Sequence, residues 1–218
     1  MIVTIDGPAG AGKSSAARGL AARLGFRFLD TGAMYRAATL ACQRRGVELA
    51  HERQVAETVC QARITVDGER VFLDGEDVTQ AVRTPEVTQG TSTVASNVAV
   101  RRVLVESQRL AAQECDLVAE GRDQGTVVFP HAECKFFLTA DPRERAARRQ
   151  RDLAGSGAAV TMEELLVLQA ERDRRDESRE VGPLKPADDA IHVDTSGLGE
   201  AEVIDLLERQ VRARLGAT

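Results

Sequence analysis

The chain is 218 residues long, 43% hydrophobic and 29% charged, with 29 basic against 34 acidic side chains and a formal net charge of −5. That length suffices for one buried core with at most a small subdomain, and the composition excludes a disordered or collagen-like chain. The negative balance excludes a general attraction for polyanions, so no nucleic-acid partner is expected and any anion has to be met by local charges.

Met1 to Asp6 reads as a short buried strand, followed by a glycine-rich turn and an alanine-rich helix from Lys13 to Leu24 that Gly25 stops. "FRFLD" (Phe26 to Asp30) is a second strand, and Met34, Ala37, Ala38 and Ala41 give Ala33 to Arg45 a helical spacing. Three more strands follow: "DLVAE" (Asp116 to Glu120), "CKFFLTA" (Cys134 to Ala140) and "AIHVD" (Ala190 to Asp194), the last leading into a helix from about Gly199 to Leu215. Five short apolar runs separated by helices predict an α/β fold with a five-stranded parallel sheet covered on both faces.

Thr31 to Cys115 is far longer than the dozen or so residues of a single crossover helix. Within it, "RITVDGERVFLDGEDVT" alternates apolar and polar residues around Asp67-Gly68 and Asp74-Gly75, which predicts small antiparallel hairpins in an inserted subdomain. Cys42, Cys60, Cys115 and Cys134 lack CxxC spacing and His51, His131 and His192 stand alone, so neither a zinc site nor a disulfide framework is expected. No run approaches the ~20 apolar residues of a membrane span and the N-terminus lacks a signal-peptide layout; the expectation is a cytoplasmic protein away from membranes.

The chemistry starts at "GPAGAGKS", Gly7 to Ser14, which satisfies G-x-x-x-x-G-K-[ST] between a predicted strand and a predicted helix. Missing Cβ atoms at Gly7, Gly10 and Gly12 let the backbone N–H groups of a loop that also holds Pro8, Ala9 and Ala11 turn inward around phosphate oxygens. The N-terminus of the helix, at Lys13, Ser14 and Ser15, adds partial positive charge. Lys13, one of only three lysines in the chain, is expected to reach the β- and γ-phosphates of ATP, and the Ser14 hydroxyl to ligate Mg²⁺. A merely tight strand-to-helix turn would not demand lysine and serine at these offsets. Such a cradle does not by itself separate a kinase from a nucleotide sensor. The lack of a guanine-reading N-K-x-D, the small size and the insertion favour a small-molecule kinase.

Three further stretches carry concentrated charge: "LDTGAMYR" (Leu29 to Arg36), "EGRDQGTVVFP" (Glu120 to Pro130) and "ERDRRDESREVGPL" (Glu171 to Leu184). The first two follow strand ends, where open parallel sheets bind ligands. In the third, Arg172, Asp176 and Arg179 are spaced for one helix face; spacing alone favours an ordinary solvated ion-pair face there.

Taken with the phosphate loop, these stretches resemble bacterial cytidylate kinases, nucleoside monophosphate kinases of the P-loop class, in order and spacing over nearly the whole chain. The resemblance implies that Arg36, Arg122 and Arg179 hold a CMP phosphate, that Ser92, Arg101 and Asp123 read cytosine, and that Arg172 and Asp176 attend the sugar. Thr31 and Tyr35 join the acceptor site on the same grounds. It further implies an insertion of about residues 36–110 and a lid of about 142–160 within one domain, 1–218, whose core is 1–35, 111–141 and 161–218, in a monomer.

The lid segment holds five arginines between Arg143 and Arg151. Arg145, Arg148 and Arg149 are each open as the ones that enter the site; Arg145 and Arg148 are carried as catalytic with Lys13, Arg122 and Arg179. Thr31 and Glu120 stand where many relatives have serine and aspartate, and Gln124 where an apolar residue is usual. Glu120 or Asp30 is the expected carboxylate near Mg²⁺. The reaction implied is ATP-dependent phosphorylation of CMP and dCMP, with two rivals: another small-molecule kinase acting on UMP or shikimate, or a nucleotide-sensing interaction module.

Overall fold

The computed structural model describes residues 1–113, 115–154 and 160–216. The glycine-bearing loop of the expected lid, 155–159, lies outside the described residues. In chain order the elements are β1 (Ile2–Asp6), α1 (Lys13–Leu24), β2 (Arg27–Asp30), α2 (Thr31–Arg44), α3 (Glu52–Gln61), β3 (Ile64–Asp67), β4 (Arg70–Leu73) and β5 (Glu76–Asp77). Then come α4 (Pro85–Ser96), α5 (Val98–Ala111), β6 (Leu117–Glu120), β7 (Cys134–Thr139), α6 (Pro142–Ala154), α7 (Met162–Glu177), β8 (Ile191–Asp194) and α8 (Glu200–Leu215). A single π-helical turn, Gln124–Val128, joins β6 to β7.

The main sheet runs β2-β6-β1-β7-β8 with every neighbouring pair parallel, the five-stranded parallel sheet expected from the sequence. Side chains alternate across it, so β6 sends Val118 to one face and Leu117 and Ala119 to the other. Val118 joins Val3, Ile5, Phe136 and Leu138 under Ala17 and Leu20 of α1 and Leu207 and Val211 of α8. Leu117 and Ala119 pack with Val59 of α3, Val94 of α4, and Val100 and Leu104 of α5. Burial of each such side chain contributes about 1.5–3 kcal/mol.

Between β2 and β6 the chain builds a separate antiparallel sheet, β3-β4-β5. Asp74 and Gly75 turn β4 into β5 with φ of 53° and 91°, the left-handed pair that a two-residue hairpin turn requires. Its inner residues Val71 and Leu73 pack on Ala33, Ala37, Leu40 and Ala41 of α2. That helix starts two residues before the apolar periodicity does. Asp30 caps it, its Oδ1 accepting from the Ala33 N–H at 2.7 Å.

Candidate active site

Ile5 and Asp30 both pair with Glu120 in the sheet register, so the carboxyl ends of β1, β2 and β6 finish at one level. The three segments that leave these ends, 7–14, 31–36 and 121–123, are thereby gathered at one crevice. Parallel pairing therefore does what the sequence spacing of more than 80 residues could not show.

Gly10 and Gly12 take φ of 78° and 84° in the phosphate loop, and α1 has no side-chain cap. Its first N–H groups are thus available to an anion rather than satisfied by a side-chain cap. Lys13 is buried, and its Nζ donates to the Pro8 carbonyl at 2.7 Å. Burial, reinforced by the charges of Arg122 and Arg172, pushes its ammonium down to about 7, against the pull of Glu120 and Asp6. The Ser14 hydroxyl donates to Glu120 Oε1 at 2.5 Å. Burial and then the Asp30 charge raise the Glu120 carboxyl above its ordinary value.

Arg145 and Arg148, both on α6, reach the back of this loop. Arg145 Nη1 donates to the Ala9 carbonyl at 3.1 Å and to Asp173 Oδ2 at 2.6 Å. Arg148 Nη1 meets the Gly10 carbonyl at 3.4 Å and Thr195 Oγ1 at 3.0 Å. Arg149 belongs to the same helix, and its charge acts on Arg172.

On the acceptor side, Asp176 is 2% exposed and lies between two guanidinium groups. Its Oδ2 accepts from Arg122 Nε at 2.8 Å and its Oδ1 from Arg179 Nη2. Burial alone would raise this carboxyl, yet Arg122, Arg179 and Arg172 together hold it below the ordinary carboxylate value. Arg172 is pushed down to about 10 by burial and then by the Arg122 charge, with Arg149 and Arg36 adding to it. Arg36 Nη2 donates to Asp30 Oδ2 at 3.0 Å.

The expectation of one helix face for Arg172, Asp176 and Arg179 is corrected here, because α7 ends at Glu177 and Arg179 lies beyond its C-cap Ser178. Beyond the cap the chain turns back over Asp176, whose carbonyl accepts the Leu184 N–H at 2.8 Å. Nor is it a solvated ion-pair face: the Asp176 and Arg179 side chains are 2% and 8% exposed.

A second buried pair, Arg101 with Asp123, has side chains 3% and 5% exposed. Burial raises the Asp123 carboxyl, opposed by the charges of Arg101 and Arg179. The Arg101 guanidinium stands 5.8 Å over the centre of the Tyr35 ring, within cation–π range. Burial pushes the Tyr35 hydroxyl up to about 12. Gly182, at φ 65°, covers the pair so closely that any Cβ would strike Arg101 and Asp123. Ser92 lies on α4 one turn before Ala95, whose carbonyl is 3.4 Å from Arg101 Nη1. The Thr31 hydroxyl donates to the Glu120 carbonyl at 2.7 Å.

The family profile described as cytidylate kinase matches residues 3–213. The chain belongs to the cytidylate kinase family. It is 48% identical over 212 residues to the cytidylate kinase of Rhodopirellula baltica, covering 97% of this chain and 93% of that one. To the cytidylate kinase of Mycobacterium leprae it is 49% identical over 218 residues, with 100% and 98% covered. A crystal structure of an uncharacterized protein from Eubacterium ventriosum has the same fold at a TM-score of 0.55 and 12% identity, covering 97% of this chain and 98% of that one.

Four residues of this cytidylate kinase family member that the sequence did not single out touch the site residues or the turn that follows Asp123. Asp173 partners Arg145, Thr195 partners Arg148, and Gln108 accepts from Gln124 Nε2 at 3.2 Å. Asp6 is the fourth, its carboxylate accepting two N–H groups of the turn after Asp123. Two signals were there to read: an acid ending an apolar strand at Asp6, and Gln108 at helical spacing from Leu104 on the buried face of α5.

Proposed function

We propose that this kinase transfers the γ-phosphoryl group of ATP to CMP or dCMP, giving ADP and CDP or dCDP. The observation that carries the reading is the gathering of the phosphate loop with Lys13, the segment that ends at Arg36, and Arg122 with Asp123 at the aligned carboxyl ends of β1, β2 and β6. Asp30 and Asp176 offset Arg36, Arg122 and Arg179 there, and the phosphates of two substrates meeting end to end would add the anions that Lys13 and Arg172, both lowered by burial and like charge, favour.

In this reading the loop 7–15 cradles the ATP phosphates with Lys13 on the β,γ side, and Arg145 and Arg148 steady the loop and the transferring group. Arg36, Arg122 and Arg179 hold the acceptor phosphate, with Arg172 and Asp176 toward the sugar. Arg101, Asp123 and Ser92 face the base beside Tyr35 and Thr31. A CMP phosphate oxygen attacks the γ-phosphorus in line as the bond to the β,γ-bridging oxygen breaks, and ADP leaves with that oxygen. The attacking oxygen is already anionic, so no general base is needed. The buried Asp123 carboxylate is an acceptor that suits the cytosine amine and opposes the uracil carbonyl.

Among the described residues no cluster of three or more histidines, cysteines or acids could hold a metal ion by itself. The pair of Ser14 hydroxyl and Glu120 carboxylate, 2.5 Å apart, is nonetheless a hard-oxygen set that would hold Mg²⁺. When bound there, the ion supplies neutralisation of charge developing on the β- and γ-oxygens. We also read 36–110 as an acceptor-binding insertion of one domain, 142–160 as its lid, and the enzyme as a cytoplasmic monomer acting on free nucleotides. No helix among the described residues is long and apolar enough to cross a membrane.

A panel of CMP, dCMP, UMP, AMP and shikimate in a coupled ADP-release assay tests the proposal. ADP release with CMP or dCMP at kcat/KM values well above those of the other acceptors is the expected result. Acceptor-independent hydrolysis, or preference for another acceptor, overturns it.

A further inference from the structure

Asp6 ends β1 on the face opposite Val3 and Ile5, and is 4% exposed. A carboxylate so placed is costly unless its oxygens are met. Both are, by backbone: Oδ1 accepts the Gln124 N–H at 2.9 Å and Oδ2 the Gly125 N–H at 2.7 Å. Those are the first two N–H groups of the π-helical turn Gln124–Val128, which has Asp123 at its N-cap position.

A helical turn leaves its first N–H groups without partners of its own, and an aspartate at the N-cap ordinarily satisfies one with its own side chain. Asp123 makes no such cap bond. Its carboxylate pairs instead with Arg101, at the place assigned above to the cytosine amine. We infer that Asp6 is a positioning residue that caps this turn in place of Asp123, and so frees the Asp123 carboxylate for Arg101 and the base.

The side-chain chemistry is restrictive. The two N–H groups are met by two separate oxygens of one short side chain; asparagine has one oxygen, its other terminal group being an NH₂ donor. The turn is also shaped to approach: a Cβ on Gly125 would lie 3.0 Å from Thr4 Oγ1, 3.2 Å from Lys135 Cδ and 3.5 Å from Asp6 Oδ2. Asp6 stands directly before the phosphate loop, so one side chain ties the strand that carries the ATP cradle to the turn that carries the base reader. Lys13 and Asp123 are the charged groups that act on it.

The inference rests on the proposed reading of Asp123, so three variants are measured together: Asp123→Asn, Asp6→Asn and Gly125→Ala. Steady-state kinetics at pH 8, above the value of about 7 to which burial raises Asp6, with CMP, UMP and ATP give KM for each and the ratio of kcat/KM for CMP over UMP. In Asp6→Asn one turn N–H faces an amide NH₂, and Asp123 is drawn back to cap its own turn. The expected result is a rise of roughly tenfold in KM for CMP and a fall of similar size in the CMP/UMP ratio, with KM for ATP within about twofold. Gly125→Ala has no φ penalty and presses the turn off Thr4 and Lys135, and so away from Asp6, which shares the Thr4 face of β1; it is expected to move the same two quantities in the same direction, and should Asp6→Asn not fold, it decides alone. If Asp123→Asn lowers the ratio while Asp6→Asn, or Gly125→Ala in its stead, leaves ratio and KM for CMP unchanged, the positioning role is refuted and the base reading stands. If Asp123→Asn leaves the ratio unchanged, the base reading falls and the inference with it.

Discussion

Replacing Asp176 by asparagine removes the one carboxylate that Arg122 and Arg179 share. It accepts from Arg122 Nε at 2.8 Å and from Arg179, and the side chains of Asp176, Arg179 and Arg122 are 2%, 8% and 18% exposed. Breaking a buried ion pair by removing one partner costs about 3–5 kcal/mol, because the remaining charge stays desolvated. In a domain of this size each kcal/mol shifts Tm by roughly 2–4 °C, so a fall of about 10 °C is expected for Asp176→Asn at pH 7.

Asp176 is held below the ordinary carboxylate pKa of 3.8, so its contribution is fully present above that value and is lost as pH falls through the lower folded-state value. The gap between wild type and variant should therefore be constant from pH 5 to 8 and close below about pH 4. If the two arginines exist to hold a CMP phosphate, that phosphate supplies the missing anion. Saturating CMP should then raise the Tm of Asp176→Asn by several degrees more than that of the wild type, inorganic phosphate should do so in part, and cytidine should not. Differential scanning fluorimetry with the three ligands reads all of this. A variant within about 2 °C of wild type would refute the energetic argument, and equal CMP shifts in both proteins would refute the phosphate assignment.

Lys13→Ala should retain its fold, since burial already disfavours the ammonium, while turnover in the ADP-release assay falls by orders of magnitude; near-normal turnover would end the phosphate-loop account. Arg179→Ala should raise KM for CMP at least roughly tenfold and leave KM for ATP nearly unchanged, whereas an equal rise in both would detach Arg179 from the acceptor. Asp6→Asn should show a pH signature of opposite sign to Asp176→Asn. Burial raises Asp6 from 3.8 to about 7, so the wild type binds a proton in the folded state that the unfolded chain has lost. Its Tm relative to Asp6→Asn should fall as pH rises from about 4 to 7, and a flat or rising difference would contradict the assigned environment.

Much of the molecule could be read before folding. The phosphate loop is contiguous, its glycines and Lys13 are fixed by local backbone geometry, and the five core strands follow from short apolar runs whose bounds the structure moves by only a residue or two. Local physics reaches as far as one turn or one strand face, and these features lie within that reach. Partnerships across the sheet do not. Spacing made Arg172, Asp176 and Arg179 look like a solvated helix face, and only the chain's return over Asp176 buries that carboxylate between Arg122 and Arg179. Asp6 and Gln124 are 118 residues apart, and no period in either segment announces that one caps the other. Arg101 and Asp123 are joined only because α5 packs against the turn that follows β6, with Gly182 closing over both. The sequence determined which groups were available and the geometry of the loop that cradles phosphate. The tertiary structure decided which charges lose their water and against whom they are set, and burial is what turns a list of arginines and aspartates into a site.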